Sequence, residues 1–246
     1  MCPNPGKMIN LRKNSQIVRS EEPIALVGGG EIGPEDLNQT LIRVKAVVAA
    51  DGGAIPLMDS GRMPDAVIGD FDSLTGTYLD RIPADRLFPI REQDSTDFDK
   101  ALRSIDAPLV LGVGFLGGRL DHQMAVLNAL VRLQDRFCIL IGEHEIVFHA
   151  PPQIRLSLTP GDVVSLFPFQ RVTGLSKGLE WPIDDLVLEP NGRVGTSNRA
   201  LSDVELTVDG PGLLVMVPRD ALNQVMRALL SRQTGRWPAR VDGHPS

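Results

Sequence analysis

What this chain lacks narrows its chemistry first. Cysteine occurs only twice, at Cys2 and Cys138, which excludes a disulfide framework and a cysteine-built zinc site. The four histidines, His122, His144, His149 and His244, form no ligand pair at helical spacing. No basic block interrupts a net charge of -6, so the sequence offers no electrostatic footprint for nucleic acid or for an anionic membrane. No apolar run approaches transmembrane length, and the opening Met1-Cys-Pro-Asn-Pro-Gly-Lys-Met-Ile-Asn10 lacks the apolar core of a signal peptide. A soluble, cytoplasmic protein is the expectation. The Gly-Lys-Ser/Thr of a Walker phosphate loop is missing too. Any nucleoside triphosphate here needs another arrangement of glycine loops and metal.

What is present divides at about residue 150. With 246 residues the chain can bury a good core, as one large domain or two smaller ones. After a tail over residues 1 to about 20, short apolar runs at 24–27, 44–49, 66–68, 87–90, 109–113 and 137–141 alternate with helical patterns. One helix starts near Pro34, a favourable first helical residue. Another follows Gly117-Gly-Arg-Leu-Asp-His122 with Leu120, Met124, Leu127 and Val131 on one face. This alternation predicts an α/β domain over 21–150 with a doubly wound parallel sheet, whose ligands bind at the carboxyl ends of the strands. Beyond Pro151-Pro152 the pattern changes to apolar runs at 154–158, 163–167, 186–188, 204–208 and 213–217, separated by proline–glycine turns. Residues 151–246 thus read as an all-β sandwich domain, with a closing helix at 221–230 and a frayed end from Arg236.

Two acidic stretches carry the chemistry. In Asp65-Ala-Val-Ile-Gly-Asp-Phe-Asp-Ser73 a buried strand ends at Gly69. If the chain stays extended, Asp70 and Asp72 point the same way. Paired carboxylates are costly unless a cation sits between them, and magnesium takes such ligands and fills the rest with water and phosphate. A solvated loop in which Asp70 caps the next helix accounts for the motif equally well. The second stretch, Asp94-Ser-Thr-Asp-Phe-Asp-Lys100, opens a helix with Phe98, Ala101, Leu102 and Ile105 on its apolar face and Thr96 with Asp99 as a capping box. Acids at a helix start are ordinary, since the dipole favours them. Lys100 is not explained that way. A lysine beside metal-binding carboxylates suits a polyphosphate, and Arg119 in a glycine loop before a helix suits phosphate as well.

A rival pattern competes. Gly28-Gly-Gly-Glu-Ile-Gly33 after a strand, with Asp51 at the spacing of a ribose-binding acid, matches a dinucleotide fingerprint, and Gly112-Val-Gly-Phe-Leu-Gly117 matches it again. A Rossmann-type oxidoreductase is therefore one alternative. It makes no use of Asp70, Asp72 or Asp97.

Taken in order, Ala50-Asp-Gly-Gly-Ala54, Gly69-Asp-Phe-Asp-Ser73, Gln93-Asp-Ser-Thr-Asp-Phe-Asp-Lys100 and Gly117-Gly-Arg-Leu-Asp-His122 resemble the thiamine pyrophosphokinase family. Gly174-Leu-Ser-Lys-Gly-Leu-Glu-Trp-Pro182 and Thr196-Ser-Asn198 resemble its thiamine-side segments. The resemblance implies transfer of pyrophosphate from ATP to the hydroxyl of thiamine, giving thiamine diphosphate and AMP. It implies Mg2+ on Asp70, Asp72 and Asp97, with Lys100 at the reacting phosphates. Asp51, Gly52, Gln93, Gly117, Gly118, Arg119 and Asp121 fall on the nucleotide side, and Trp181, Thr196, Ser197 and Asn198 on the thiamine side. Arg199 stands where many relatives of that family carry an acid. A homodimer with a shared active site is implied as well. A pyrophosphokinase for another hydroxymethyl heterocycle, such as a pterin, is the other alternative.

Overall fold

A computed structural model describes residues 16–33 and 35–240. In chain order its elements are β1 (Val18–Arg19), β2 (Ile24–Val27), α1 (Asp36–Leu41), β3 (Ala46–Ala50), α2 (Ala54–Asp59), β4 (Ala66–Gly69), α3 (Gly76–Leu79), β5 (Leu87–Pro89), α4 (Asp97–Arg103), β6 (Ile105–Asp106), β7 (Val110–Val113), α5 (Leu120–Arg132), β8 (Cys138–Ile141), β9 (Glu145–His149), β10 (Gln153–Leu156), β11 (Val163–Pro168), β12 (Gly174–Leu179), β13 (Gly195–Val208), β14 (Leu213–Pro218) and α6 (Leu222–Leu229). The chain forms two compact units, and the division falls between Val126 and Leu127, inside α5.

In the first unit the strands stand in the order β7-β2-β3-β4-β5, all parallel. Apart from the edge strand β5, their residues are largely buried on both faces, which is why the sequence shows unbroken apolar runs rather than alternation. Ala25, Val27, Val47 and Val113 pack with Leu37 of α1 and Leu57 of α2. Ala49 and Val67 pack with Ala54, Met58, Leu74 and Ile82. The alternate residues face the other way, and α4 packs on β3 and β4. The helical run expected near Pro34 appears as α1, from Asp36; Pro34 itself lies outside the described residues. Of the tail expected over 1 to about 20, residues 1–15 also lie outside them, while Val18–Arg19 pairs in parallel with Ile105–Asp106.

Gly28, Gly30 and Gly114 of the rival fingerprint have a packing explanation. A Cβ on Gly28 would stand 2.5 Å from the Gly114 carbonyl, one on Gly30 2.7 Å from the same atom, and one on Gly53 2.0 Å from the Val27 carbonyl. The loops leaving β2, β3 and β7 therefore lie backbone against backbone, where no side chain fits.

The second unit is antiparallel. β8 pairs with β9, β9 with β14, β14 with β11, and β11 with the first part of β13. The rest of β13 pairs with β10 and β12. One strand thus serves two sheet segments, which is how a sandwich turns a corner. Three readings need correcting here. The strand expected at 137–141 is present as β8, but it meets β9 antiparallel. The run 186–188 yields only an isolated bridge, Val172 to Leu188, because the chain turns at Asp185 with φ of 60°. Of the frayed end expected from Arg236, residues 241–246 lie outside the described residues, and its first two residues are held in place. Its guanidinium lies 4.3 Å from the Phe137 ring centroid, and Trp237 Nε1 donates to the Ala150 carbonyl at 2.8 Å.

The α5 face also differs from expectation. Leu120 is 71% exposed and Met124 49%, whereas Val131 is buried as expected, together with Val126, Ala129 and Leu130. Ala129 belongs to the buried stripe, which is shifted away from the large apolar residues at the helix start.

Candidate active site

β3 and β4 end side by side, and each delivers a carboxylate. The chain leaves β3 at Asp51, held at φ of 41° at the head of a 3-10 turn, Asp51–Gly53. A Cβ on Gly69 would meet the Asp51 Cβ at 2.8 Å, so glycine is what lets Asp51 approach β4. β4 does not continue as an extended strand. Phe71 turns with φ of 68°, and the Asp72 amide donates to Asp70 Oδ1 at 3.3 Å. The two carboxylates still converge, by a turn rather than by strand alternation. Asp51, Asp70 and Asp72 each bring an oxygen within 4.8 Å of the other two.

Ser73 fixes this group. Its amide donates to Asp51 Oδ2 at 3.2 Å and its hydroxyl to Asp72 Oδ1 at 3.0 Å. Asp51 is 2% exposed, and its other oxygen, Oδ1, is buried with no hydrogen-bond partner. A carboxylate oxygen left so costs several kcal/mol as an order of magnitude. A hard divalent cation taking oxygen ligands is the chemical partner that removes this cost, so the residues present fit magnesium.

Lys100 lies beside the acids, only 2% exposed on α4. Its ammonium donates to Asp70 Oδ2 and to Asp97 Oδ1, both at 3.1 Å. The Lys100 bond holds the Asp70 carboxyl below the usual range. Burial raises Asp97; Lys100 works against that rise, and the charges of Asp51 and Asp70 add to it. Burial pulls the Lys100 ammonium down, but its bonds to Asp97 and Asp70 outweigh this and leave it raised. Lys100 is therefore a buried, permanent cation. The α4 start that carries it is capped as the sequence indicates, with the Asp99 amide donating to Thr96 Oγ1 at 3.3 Å. Phe98 anchors the same turn through an edge-to-face contact with Phe115, 4.8 Å between centroids.

The structure thus groups Asp51 with Asp70 and Asp72, and it sets Asp97 on the far side of Lys100. Gly52 lies over Ser73, 3.2 Å from a notional Cβ to the serine Cβ. Gln93 and Asp94 are exposed in the loop before α4, which is tied by Glu92 to Ser95 and Arg103. After β7 the chain passes through Gly117 and Gly118 with φ of 89° and 72°. Arg119 and Asp121, both exposed, form an ion pair with the Arg119 Nε to Asp121 Oδ1 bond at 3.1 Å. Ser73 was not foreseen, although its place directly after Asp72 is a readable signal. Glu31, beside Gly117, was not foreseen either.

In the second unit the residues that the resemblance places on the thiamine side fall into two kinds. Asn198 is buried and acts as a clamp: its Oδ1 accepts from the Trp181 amide at 3.1 Å and its Nδ2 donates to the Trp181 carbonyl at 2.6 Å. Trp181 itself is 55% exposed, so the clamp presents its indole to solvent. Thr196 and Ser197 are exposed, and Ser197 turns at φ of 62° where β11 and β13 shift register, with its amide donating to Ser165 Oγ at 3.0 Å. Arg199 is exposed next to them.

Two family models match the chain: the thiamin pyrophosphokinase catalytic domain over residues 37–141 and the thiamin pyrophosphokinase vitamin B1 binding domain over 143–213. Among curated proteins, thiamine pyrophosphokinase 1 of Oryza sativa subsp. japonica is 27% identical over 190 residues, covering 63% of this chain and 72% of the relative. Thiamine pyrophosphokinase 1 of Arabidopsis thaliana is 26% identical over 215 residues, covering 70% and 80%. Among solved structures, the Bacillus subtilis thiamine pyrophosphokinase superposes with a TM-score of 0.66 at 24% identity, covering 80% of this chain and 98% of that one. The yeast thiamin pyrophosphokinase gives 0.67 at 18% identity, covering 89% and 93%. At such identities the solved structures speak for the fold.

Proposed function

Since this chain belongs to the thiamine pyrophosphokinase family, we infer its reaction and assign parts of it to named residues. It transfers the pyrophosphoryl group of ATP to the hydroxyl of thiamine, giving thiamine diphosphate and AMP. The observation that carries this reading is that both halves of the chain match the two halves of one enzyme family, with a carboxylate cluster in the first half. For the dinucleotide reading, backbone packing accounts for Gly28, Gly30 and Gly114, and Asp51 belongs to that cluster.

Phosphoryl chemistry asks the protein for positioning and charge neutralisation rather than covalent help. We assign the metal to Asp51, Asp70 and Asp72, supported by the buried unpaired Asp51 Oδ1. Mg2+ bound there supplies a counter-charge for the phosphate oxygens. Lys100 offsets the charge that grows as the bond to AMP breaks, and Asp97 keeps its ammonium in place. Gln93 and the Gly117-Gly118-Arg119-Asp121 loop serve the nucleotide; Trp181, Thr196, Ser197 and Asn198 serve thiamine. We assign residues 21–150 to catalysis and 151–246 to thiamine binding, in a homodimer whose second copy completes each active site. The exposed apolar side chains Leu175, Trp181 and Leu201 support such a covered surface. No described helix is long and apolar enough to cross a membrane, and we assign the reaction to the cytoplasm.

The test is an acceptor comparison with purified protein, ATP and magnesium. Thiamine should be converted, and a hydroxymethyl pterin should not. Turnover of the pterin with none of thiamine would move the activity to the other acceptor.

A further inference from the structure

Among the described residues, Glu31 is an acidic side chain lying against the Gly117 loop that no part of the reaction has yet used. A Cβ built on Gly117 would stand 3.1 Å from Glu31 Oε2 and 3.3 Å from Glu31 Cβ, and one on Gly118 would stand 3.9 Å from Oε1. Gly117 and Gly118 turn with φ of 89° and 72°, so the absence of a side chain there leaves the carboxylate open to solvent. Glu31 is exposed. It follows β2, whose loop is locked to that of β7 by the Gly30 amide donating to the Gly114 carbonyl at 3.0 Å. The carboxylate therefore sits on a fixed backbone.

Position and charge together say which part of a nucleotide this end can take. Along the strand order β7-β2-β3-β4, Asp70 ends β4 and Glu31 lies where β2 and β7 end. At about 4.8 Å per strand, that is a separation of roughly 10–12 Å. Phosphates held at Asp51, Asp70, Asp72 and Lys100 would put the sugar of the same nucleotide at this end. The local charge agrees: besides Glu31 the loop carries Asp121, and the nearby Arg119 is already paired to it. A phosphate would be repelled there. A neutral vicinal diol would not, and a carboxylate is a strong acceptor for such hydroxyls.

We propose that Glu31 is a specificity residue that accepts hydrogen bonds from the ribose hydroxyls of the nucleotide, the part that Asp51 would play in a dinucleotide fold and cannot play here. This rests on the nucleotide-binding reading of the same strand ends. A hydrogen bond to a charged group is worth a factor of roughly 10 to 100. Wild-type protein should therefore prefer ATP over 2′-deoxy-ATP or 3′-deoxy-ATP by at least about tenfold in kcat/KM. Glu31→Ala should lose that preference, mainly by losing efficiency with ATP, and Glu31→Gln should keep part of it. The same ratio is measured without catalysis by calorimetric binding of AMP and of 2′- and 3′-deoxy-AMP. A variant that retains the wild-type preference in both assays, or a wild type with no preference in either, overturns the role of Glu31. Discrimination in binding that collapses in Glu31→Ala, in a protein that makes no thiamine diphosphate, would support Glu31 and reject the reaction instead.

Discussion

At the residue scale one buried carboxylate is decisive. Asp51 has an oxygen without a partner in a cluster with Asp70 and Asp72, so in the proposed metal site its charge would serve the cation at the expense of the fold. Asp51→Asn should raise the melting temperature of the metal-free protein while removing activity, because it relieves a buried charge at nearly constant volume. Asp70→Asn and Asp72→Asn should each lower turnover by about a hundredfold or more, as removal of charge-stabilising groups does in other enzymes. Near-normal turnover in these variants at saturating magnesium would remove the metal assignment. His149 gives a second residue-level prediction. It is buried, and desolvation lowers its pKa from 6.5 to about 4 while Nε2 accepts from the Gly212 amide at 2.8 Å. The folded state thus resists a proton that the unfolded chain takes. Its contribution is complete above pH 6.5 and is lost as pH falls toward 4, by up to roughly 3 kcal/mol. Denaturation measured across that window should show stability rising with pH, and His149→Gln should flatten the slope; an unchanged slope would contradict it.

At the scale of elements, the sequence made the parallel strands legible because they are buried on both faces and read as short apolar runs. The helix at Asp97 was legible through Phe98, Ala101 and Leu102 and its Thr96 cap. Less was legible where a partner, not composition, makes the strand. Gly174–Leu179 carries two glycines and a lysine, and the Thr196–Arg199 part of β13 is polar; both are strands because of the chains beside them. The acids were visible as types at suggestive places, yet their grouping was not. Whether Asp51 or Asp97 joins Asp70 depends on a positive φ at Asp51 and a lysine reaching across from α4, which spacing alone does not encode. The Asn198 clamp belongs to this scale as well, since it ties β13 to the segment after β12. Asn198→Ala should cost about 1–3 kcal/mol of stability, leaving the Trp181 backbone groups unsatisfied. It should also raise the KM for thiamine more than the KM for ATP, and steady-state kinetics showing the reverse would overturn the proposed place of Trp181 at thiamine.

For the whole molecule, the proposed assembly predicts a dimer for the full chain in sedimentation velocity, and a fully active monomer would remove the shared site. The central claim concerns which phosphorus is attacked. Purified protein with ATP, magnesium and thiamine should form AMP and thiamine diphosphate in equal amounts, and a chelator should stop both together, while added nicotinamide cofactors change nothing. An ordinary kinase would release ADP and make thiamine monophosphate, and finding those products would contradict pyrophosphoryl transfer by this chain.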